Sequence, residues 1–326
     1  MTTTTERLKR ALFVPPPYTR GSVAANRIGL QPARMVYETA RRSVLPGQRS
    51  ADQQVLDACD ALDRDGVAVI PNFLADDRFD AVRDAAVAWH QSDLTSTALG
   101  AEGPIHRDHH RLDWTRGQAS PTDPEAPPFL APILQDFGSD PRLRPLVASV
   151  MGTAKAGMQP DVVYEHLTLP PDAQDDTDNL LVLHADRHFP TVKMFLSLTD
   201  NGVDEGAFEY ALGSHRMTRD RLAVEREYAT WCACFREGRH GDVPDEALQN
   251  GRIGLTPDQW NRLGLEISPI SVAPNSLIVA NNRGFHRRGR MTPGHTRVQL
   301  RLIFHQLREP ALAPLARTLA SWRARG

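Results

Sequence analysis

A chain of 326 residues with 40% hydrophobic content can bury a substantial core, in one embellished domain or in two. The formal net charge of −2 gives no support for a nucleic-acid-binding surface. Three cysteines without a regular spacing predict a reducing compartment. The polar N-terminus and the absence of a run of ~20 apolar residues predict a cytoplasmic protein that does not bind a membrane.

The N-terminal part of the chain, residues 1–50, is polar and shows little periodicity. We interpret it as an arm over the surface, which could form a subunit contact in a homo-oligomer. The remaining residues, 51–326, are predicted to form a single domain. Its first part is expected to contain helices at 52–62, 76–90 and 142–150, a strand at 66–70 and a loop-rich segment at 92–128.

From residue 161 onward the pattern changes to short strands separated by turn residues, which is typical of an antiparallel sandwich or barrel. The predicted strands are 161–169, 180–186, 191–199, 207–211, 268–272, 276–281 and 296–305. An insertion at about 217–265 carries predicted helices at 220–237 and after the N-cap Thr256. It is either a surface decoration or a lid. A further helix is predicted at 312–325, so the fold class is mainly β with flanking helices.

A histidine followed two residues later by an aspartate is a recurrent pattern in this chain. The three copies are His106-Arg-Asp108, His184-Ala-Asp186 and His240-Gly-Asp242. The first lies in a polar run without strand alternation, and the third lies in a turn-like segment, so both are interpreted as solvated loop residues. The middle copy lies between two apolar runs and is the candidate functional pair.

The candidate metal ligands are His184, Asp186 and the distant His286. Side chains two residues apart on a strand point to the same face, so the first two can reach one metal ion. Two imidazoles and one carboxylate form the ligand set that holds Fe(II) and leaves positions open for a co-substrate and O2. Arg297 follows eleven residues after His286 in a strand-like run, where a buried guanidinium requires a carboxylate partner. A diacid such as 2-oxoglutarate would supply it.

Several stretches of the chain resemble the phytanoyl-CoA dioxygenase family of Fe(II)/2-oxoglutarate oxygenases. The residues that carry the resemblance are His184-Ala-Asp186, Phe195-Leu-Ser-Leu-Thr-Asp200, Glu205-Gly-Ala-Phe-Glu209, Gly213-Ser-His-Arg216, and Asn281-Asn-Arg-Gly-Phe-His-Arg-Arg-Gly289 with Arg297. The resemblance covers roughly residues 55–308 and implies a double-stranded β-helix core of the jelly-roll or cupin type. In this family, relatives that halogenate lack the metal-binding carboxylate, so the resemblance implies that Asp186 favours oxygen insertion or a related oxidation over halogenation.

Five further residues are candidates for contacts with ligands. Lys193 is the single lysine of the predicted sheet region and would bind 2-oxoglutarate or substrate if its face points inward. Tyr164 and His166 share one face of a strand expected to line the cavity, although a buried histidine is more often a hydrogen-bonded core residue. Arg187 and His188 flank the metal pair and either meet substrate or hold the loop.

These residues predict an enzyme in which Fe(II), 2-oxoglutarate and O2 oxidise a small molecule, with hydroxylation as the default outcome and with release of succinate and CO2. The substrate could be a specialised metabolite. Two alternatives stay open at this stage. One is a cupin-like metal enzyme that does not use 2-oxoglutarate, and the other is a non-catalytic binding protein on the same barrel. Arg297 discriminates between the prediction and the cupin-like alternative.

Overall fold

The computed structural model describes residues 22–43, 50–91, 106–113, 120–121, 133, 136–152, 160–176, 178–186, 191–250 and 252–304. Its principal helices are α1 (Val23–Arg27), α2 (Leu30–Ser43), α3 (Gln53–Arg64), α4 (Asp76–Gln91), α5 (Leu143–Met151), α6 (Arg219–Arg236) and α7 (Pro257–Leu263). Its strands are β1 (Val67–Ile70), β2 (His106–Asp113), β3 (Ser120–Pro121), β4 (Asp161–Thr168), β5 (Val192–Ser197), β6 (Phe208–Ala211), β7 (Leu248–Gln249), β8 (Arg252–Ile253), β9 (Ile267–Ile270), β10 (Leu277–Asn281), β11 (His286–Arg288) and β12 (Thr296–Ile303). None of the helices in these ranges has the length and apolar character needed to cross a membrane.

The strands form two principal antiparallel sheets. The major sheet has seven strands in the order β1-β10-β5-β12-β4-β2-β3, and the minor sheet has three in the order β11-β6-β9. An isolated antiparallel bridge joins His184 to His286 and so extends the minor sheet. From β4 onward the chain crosses between the two sheets at every step except from β6 to β9, which are neighbours in the minor sheet and are separated in the chain by the β7–β8 hairpin. In this part β4, β5, β10 and β12 lie in the major sheet, and the His184 bridge, β6, β9 and β11 lie in the minor one.

The two faces of the major sheet have different partners. On β12, Leu300 and Leu302 are fully buried in a hydrophobic cluster with residues of α3, α4 and α5. The alternate residues, including Arg297, point the other way, because successive strand side chains project to opposite faces. On that inner face Phe195 of β5 contacts Phe208 of β6, with ring centroids 5.4 Å apart. The inner face of the major sheet therefore faces the minor sheet.

The outer face of the minor sheet is covered by the insertion, whose helix α6 begins with Thr218 as N-cap. Tyr228 packs edge-on against Phe285 at 6.0 Å, and the guanidinium of Arg221 lies 4.1 Å from the same ring. Helix α1 packs on α6, where the Asn26 amide donates to the Ala229 carbonyl over 3.1 Å. The insertion is therefore a packed layer of the fold.

Three segments differ from the sequence-based expectation. The predicted strand 180–186 is a 3₁₀ turn at Asn179–Leu181 followed by the single bridge at His184, because the Asp178 carboxylate accepts from the Leu180 amide and stabilises a turn. The polar run that contains His106 is strand β2 and not a loop, because its backbone pairs with β4. Residues 23–27 and 30–43 of the proposed arm are helical, with Ser22 capping α1.

The remaining predicted elements of the described ranges agree with the structure within a few residues, including the turn at His240–Asp242. The predicted helix 312–325 and most of the loop-rich segment 92–128 lie outside the described residues.

Candidate active site

His184, Asp186 and His286 come together between the two sheets. One potential ligand atom from each of the three residues lies within 4.8 Å of the others. The Nε2 atom of His184 is 3.4 Å from Asp186 Oδ1, and the Nε2 atom of His286 is 3.6 Å from Asp186 Oδ2. Both histidines are buried, whereas about a fifth of the Asp186 side chain is exposed, so the group is accessible from one side.

The backbone orients both imidazoles in the same way. His184 and His286 exchange two backbone hydrogen bonds of 3.0 and 2.8 Å across their bridge, which places their side chains on the same face. The Nδ1 atom of His184 is 2.6 Å from the Val182 carbonyl oxygen, and that of His286 is 3.0 Å from the Gly284 carbonyl oxygen. Because a carbonyl accepts only, each Nδ1 carries the proton and each Nε2 presents a lone pair to the centre.

Burial and charge set the protonation states of this group. Burial lowers the pKa of His184 to about 4; the hydrogen bond that a protonated His184 would donate to the Asp186 carboxylate opposes this shift, and the charges of His286 and Arg252 add to it. Burial alone would raise the pKa of Asp186, but the Lys193 ammonium and the two histidines outweigh it and hold that pKa well below its usual value. At neutral pH the group therefore offers a neutral His184 imidazole and a carboxylate, as metal ligation requires.

The three residues fit a divalent metal ion. Among the described residues, the buried His286 Nε2 atom has no hydrogen-bond partner, although it points to the centre of the group. Two imidazole nitrogens and one carboxylate on one side of a metal form the facial arrangement that suits non-haem Fe(II). Each histidine also has the backbone acceptor behind it that metal-binding histidines typically use.

Arg297 lies on the inner face of β12, where it is 5% exposed. Its Nη1 atom donates to the carbonyl oxygen of Gly206, in the loop that leads into β6. That loop is held in turn by Glu205, which accepts from the Gly202 amide at 2.9 Å and pairs with His295 at 2.8 Å. The guanidinium is thus fixed on the inner face of the major sheet, which faces the minor sheet that carries His286 and the His184 bridge.

A comparison with models of known protein families identifies the family of this chain. The family model of phytanoyl-CoA dioxygenase (PhyH) matches residues 62–286, more than half of the chain. The chain belongs to this family. A comparison with curated protein sequences gave no significant match.

A comparison with solved structures gave matches that include the following three. The non-heme alpha-ketoglutarate-dependent epimerase SnoN from nogalamycin biosynthesis shares 12% identity over 80% of this chain and 88% of its own, with a TM-score of 0.48. EctD from S. alaskensis, solved with bound Fe, shares 16% sequence identity over 82% of this chain and 84% of its own, with a TM-score of 0.47. HygX from Streptomyces hygroscopicus, solved with nickel and 2-oxoglutarate bound, shares 15% sequence identity over 78% of this chain and 87% of its own, with a TM-score of 0.43.

Lys193 of this PhyH-family chain points into the space between the sheets, and its ammonium group contacts Asp186 Oδ2. The sequence left open whether this face points inward, and the structure places it there. A second cation, Arg252, approaches the same carboxylate, with its Nη2 atom 3.7 Å from Asp186 Oδ1. Sequence reasoning missed Arg252, because it lies in the insertion and carries no motif.

Tyr164 and His166 do not lie on the cavity face of β4 where the sequence analysis placed them. Tyr164 is 2% exposed and belongs to the hydrophobic cluster between the major sheet and the helices. His166, two residues further along the strand, points to the same face as Tyr164, and its Nε2 atom is 3.3 Å from the Thr168 hydroxyl. The inner face of β4 instead carries Glu165. Arg187 and His188 lie outside the described residues.

Two buried charge networks near the metal ligands were also missed by sequence reasoning. Glu165 accepts from the Gln299 amide at 2.6 Å and pairs with Arg301 at 2.9 Å. Arg288 of β11 pairs with Asp175 at 2.6 Å and with Asp178 at 2.7 Å, in the segment that precedes His184. The alternating polar residues of β12 were a sequence signal for the Glu165 network. The Arg288 network has no such signal, because the spacing of its residues in the sequence does not indicate that they meet.

Proposed function

We propose that this PhyH-family protein is an Fe(II)/2-oxoglutarate-dependent dioxygenase that oxidises a small-molecule substrate, most simply by hydroxylation. The observation that carries the proposal is that three metal ligands converge between the two sheets, while a buried arginine lies on the inner face of the major sheet. Bound Fe(II), with 2-oxoglutarate and O2, supplies the oxidising power, and succinate and CO2 are the co-products. His184, Asp186 and His286 would hold the metal.

The protein residues would position the co-substrate as well as the metal. Arg297 is the residue proposed to bind the distal carboxylate of 2-oxoglutarate, since a guanidinium pairs with a carboxylate through two parallel hydrogen bonds. Burial strengthens such a pair and excludes water from it. A lysine at this position would give a single point contact in place of the two-pronged one. Because the group of metal ligands is exposed on the Asp186 side, the substrate would approach the metal from that side.

The alternation of strands between the two sheets supports a double-stranded β-helix as the core of a single domain from residue 51 onward. Four strands of the major sheet and four segments of the minor sheet, counting the His184 bridge, make up this pattern, and of these only β6 and β9 follow one another within one sheet. The metal ligands then lie on the minor sheet and its extension, while Arg297 lies on the inner face of the major sheet.

The test is anaerobic reconstitution with Fe(II) followed by 2-oxoglutarate, with the weak visible charge-transfer band of the chelated complex as the readout. We expect the band in the unmodified protein and its loss in Arg297→Ala at the same co-substrate concentration. Arg64→Ala is the matched control, because Arg64 is 65% exposed and pairs with Asp65 on the surface. Iron binding without a band would overturn the use of 2-oxoglutarate and favour the cupin-like alternative.

A substrate screen follows once the band is established. Succinate release above the substrate-free rate identifies compounds that couple to turnover, and mass spectrometry of the product shows whether one oxygen atom has been gained. A product that has lost two hydrogens and gained no oxygen would refute hydroxylation while leaving the co-substrate assignment intact.

A further inference from the structure

Two cations share one carboxylate at the exposed edge of the metal group. Within the described ranges, Asp186 is the one carboxylate within 4.0 Å of the charged nitrogens of Lys193 and of Arg252. Lys193 approaches from β5 of the major sheet, and Arg252 approaches from β8 of the insertion. Their side chains are 18% and 32% exposed, so both lie between the buried interior and the solvent.

The position of Arg252 is fixed by the packing of the insertion. Strands β7 and β8 pair with each other, and the Gly254 amide donates to the Ala247 carbonyl over 2.8 Å. Gly254 lies against Val182, so closely that an added Cβ would come within 2.5 Å of a Val182 methyl group. The Tyr228 hydroxyl of α6 donates to the Ile253 carbonyl over 3.3 Å. The guanidinium is therefore held beside the segment that carries His184.

Metal binding would leave these two cations short of negative charge. A divalent ion bound to Asp186 would neutralise the negative charge of the carboxylate that Lys193 and Arg252 contact. The distal carboxylate of 2-oxoglutarate is assigned to Arg297, and its other end carries a single negative charge. Arg301 does not add to the excess, because Glu165 neutralises it at 2.9 Å. The described part of the loaded site thus carries excess positive charge at its exposed edge.

We propose that Lys193 and Arg252 form an anion-binding subsite that takes a carboxylate or phosphate group of the substrate. The inference rests on the proposed function and deepens it, because it names an acidic small molecule as the substrate class. Arg252 offers a forked donor for two oxygens and Lys193 offers a point charge, a combination suited to a tetrahedral or planar oxyanion. An anion bound there would hold the substrate beside the metal.

The experiment titrates inorganic sulfate into the protein loaded anaerobically with Fe(II) and 2-oxoglutarate, at constant ionic strength maintained with chloride. Calorimetry gives the sulfate affinity, and the visible band is monitored in parallel. We expect saturable sulfate binding that weakens about tenfold or more in Arg252→Gln, the size expected for loss of a charge-assisted hydrogen bond. Arg252→Lys should retain most of the affinity, because it keeps the charge.

Arg236→Gln is the matched control, because Arg236 also belongs to the insertion and has a similarly loose ion pair, at 3.6 Å to Glu237. This variant should bind sulfate as the unmodified protein does. Lys193→Gln should also weaken sulfate binding, which tests the subsite from β5 without altering the β7–β8 hairpin. Circular dichroism verifies that each variant is folded.

The outcomes separate this inference from the proposed function. Failure of the band to form in the unmodified protein refutes the proposed function. A normal band with no saturable sulfate binding, or with equal affinity in Arg252→Gln, refutes the subsite alone. Bleaching of the band by sulfate also refutes it, because the anion would then be competing with 2-oxoglutarate.

Discussion

Replacing Arg288 by methionine should destabilise the protein strongly at neutral pH. The Arg288 side chain is 3% exposed. It donates two hydrogen bonds of 2.6 and 2.7 Å to Asp175 and two of 2.7 and 3.2 Å to Asp178. Methionine fills a similar space but leaves two buried carboxylates without their cation. Breaking a buried ion pair in this way costs ~3–5 kcal/mol. We expect the free energy of unfolding to fall by that amount.

The pH dependence of this loss gives a second check. Burial would raise the pKa of Asp175, but hydrogen bonds from Arg288 and from the Met291 amide lower it below the usual value. A depressed folded-state pKa contributes stability above the unfolded pKa of about 3.9, and that stability is lost as the pH falls through the folded pKa. Without Arg288 the largest opposing influence on the pKa of Asp175 is gone, so this pKa rises toward the value that burial favours, and acidification costs the variant less stability than the unmodified protein. The stability gap between the two proteins should therefore narrow from pH 7 toward pH 4.

Urea unfolding monitored by circular dichroism at several pH values measures this gap. Arg64→Met is the control, because the Arg64–Asp65 pair lies on the surface and should contribute little. A gap below ~1 kcal/mol at pH 7, or one that widens on acidification, would show that Arg288 does not neutralise a buried acidic pair.

Three further predictions concern the metal ligand His286, the nearby Gly284 and the helix cap Thr256. His286→Ala should lose most of the bound iron in metal analysis, whereas His240→Ala, in an exposed turn, should keep it; equal iron in both would exclude the proposed ligand set. Gly284→Ala should destabilise the fold by ~1–3 kcal/mol and weaken metal binding, because its Cβ would lie 1.8 Å from the Tyr210 hydroxyl; an unchanged melting temperature would contradict this. Thr256→Ala should cost ~1 kcal/mol, since its hydroxyl caps α7 at 3.3 Å, and Thr256→Ser should restore it in thermal unfolding.

Much of the fold could be predicted because its signals are local. The cap Thr256 and the proline after it define the start of α7, and short apolar runs between turn residues define most strands. β2 escaped prediction because it is polar, and its backbone pairing with β4 depends on residues about fifty positions away. Helices α1 and α2 escaped prediction because residues 1–50 are polar overall, and α2 itself buries polar side chains such as Gln31, Arg34 and Glu38.

The metal-binding pair was found through a spacing rule whose structural basis proves to be different. A regular strand would place His184 and Asp186 on one face, yet the chain is a 3₁₀ turn until Leu181 and forms a single bridge at His184. The bridge to His286 orients the first ligand, and the Arg288 network anchors the preceding segment from the neighbouring strand. Asp186 is then held from outside the strand pattern, by Lys193 and Arg252. Spacing can identify ligands that converge, but Arg252 and the Arg288 network are long-range partners, which no local pattern in the sequence encodes.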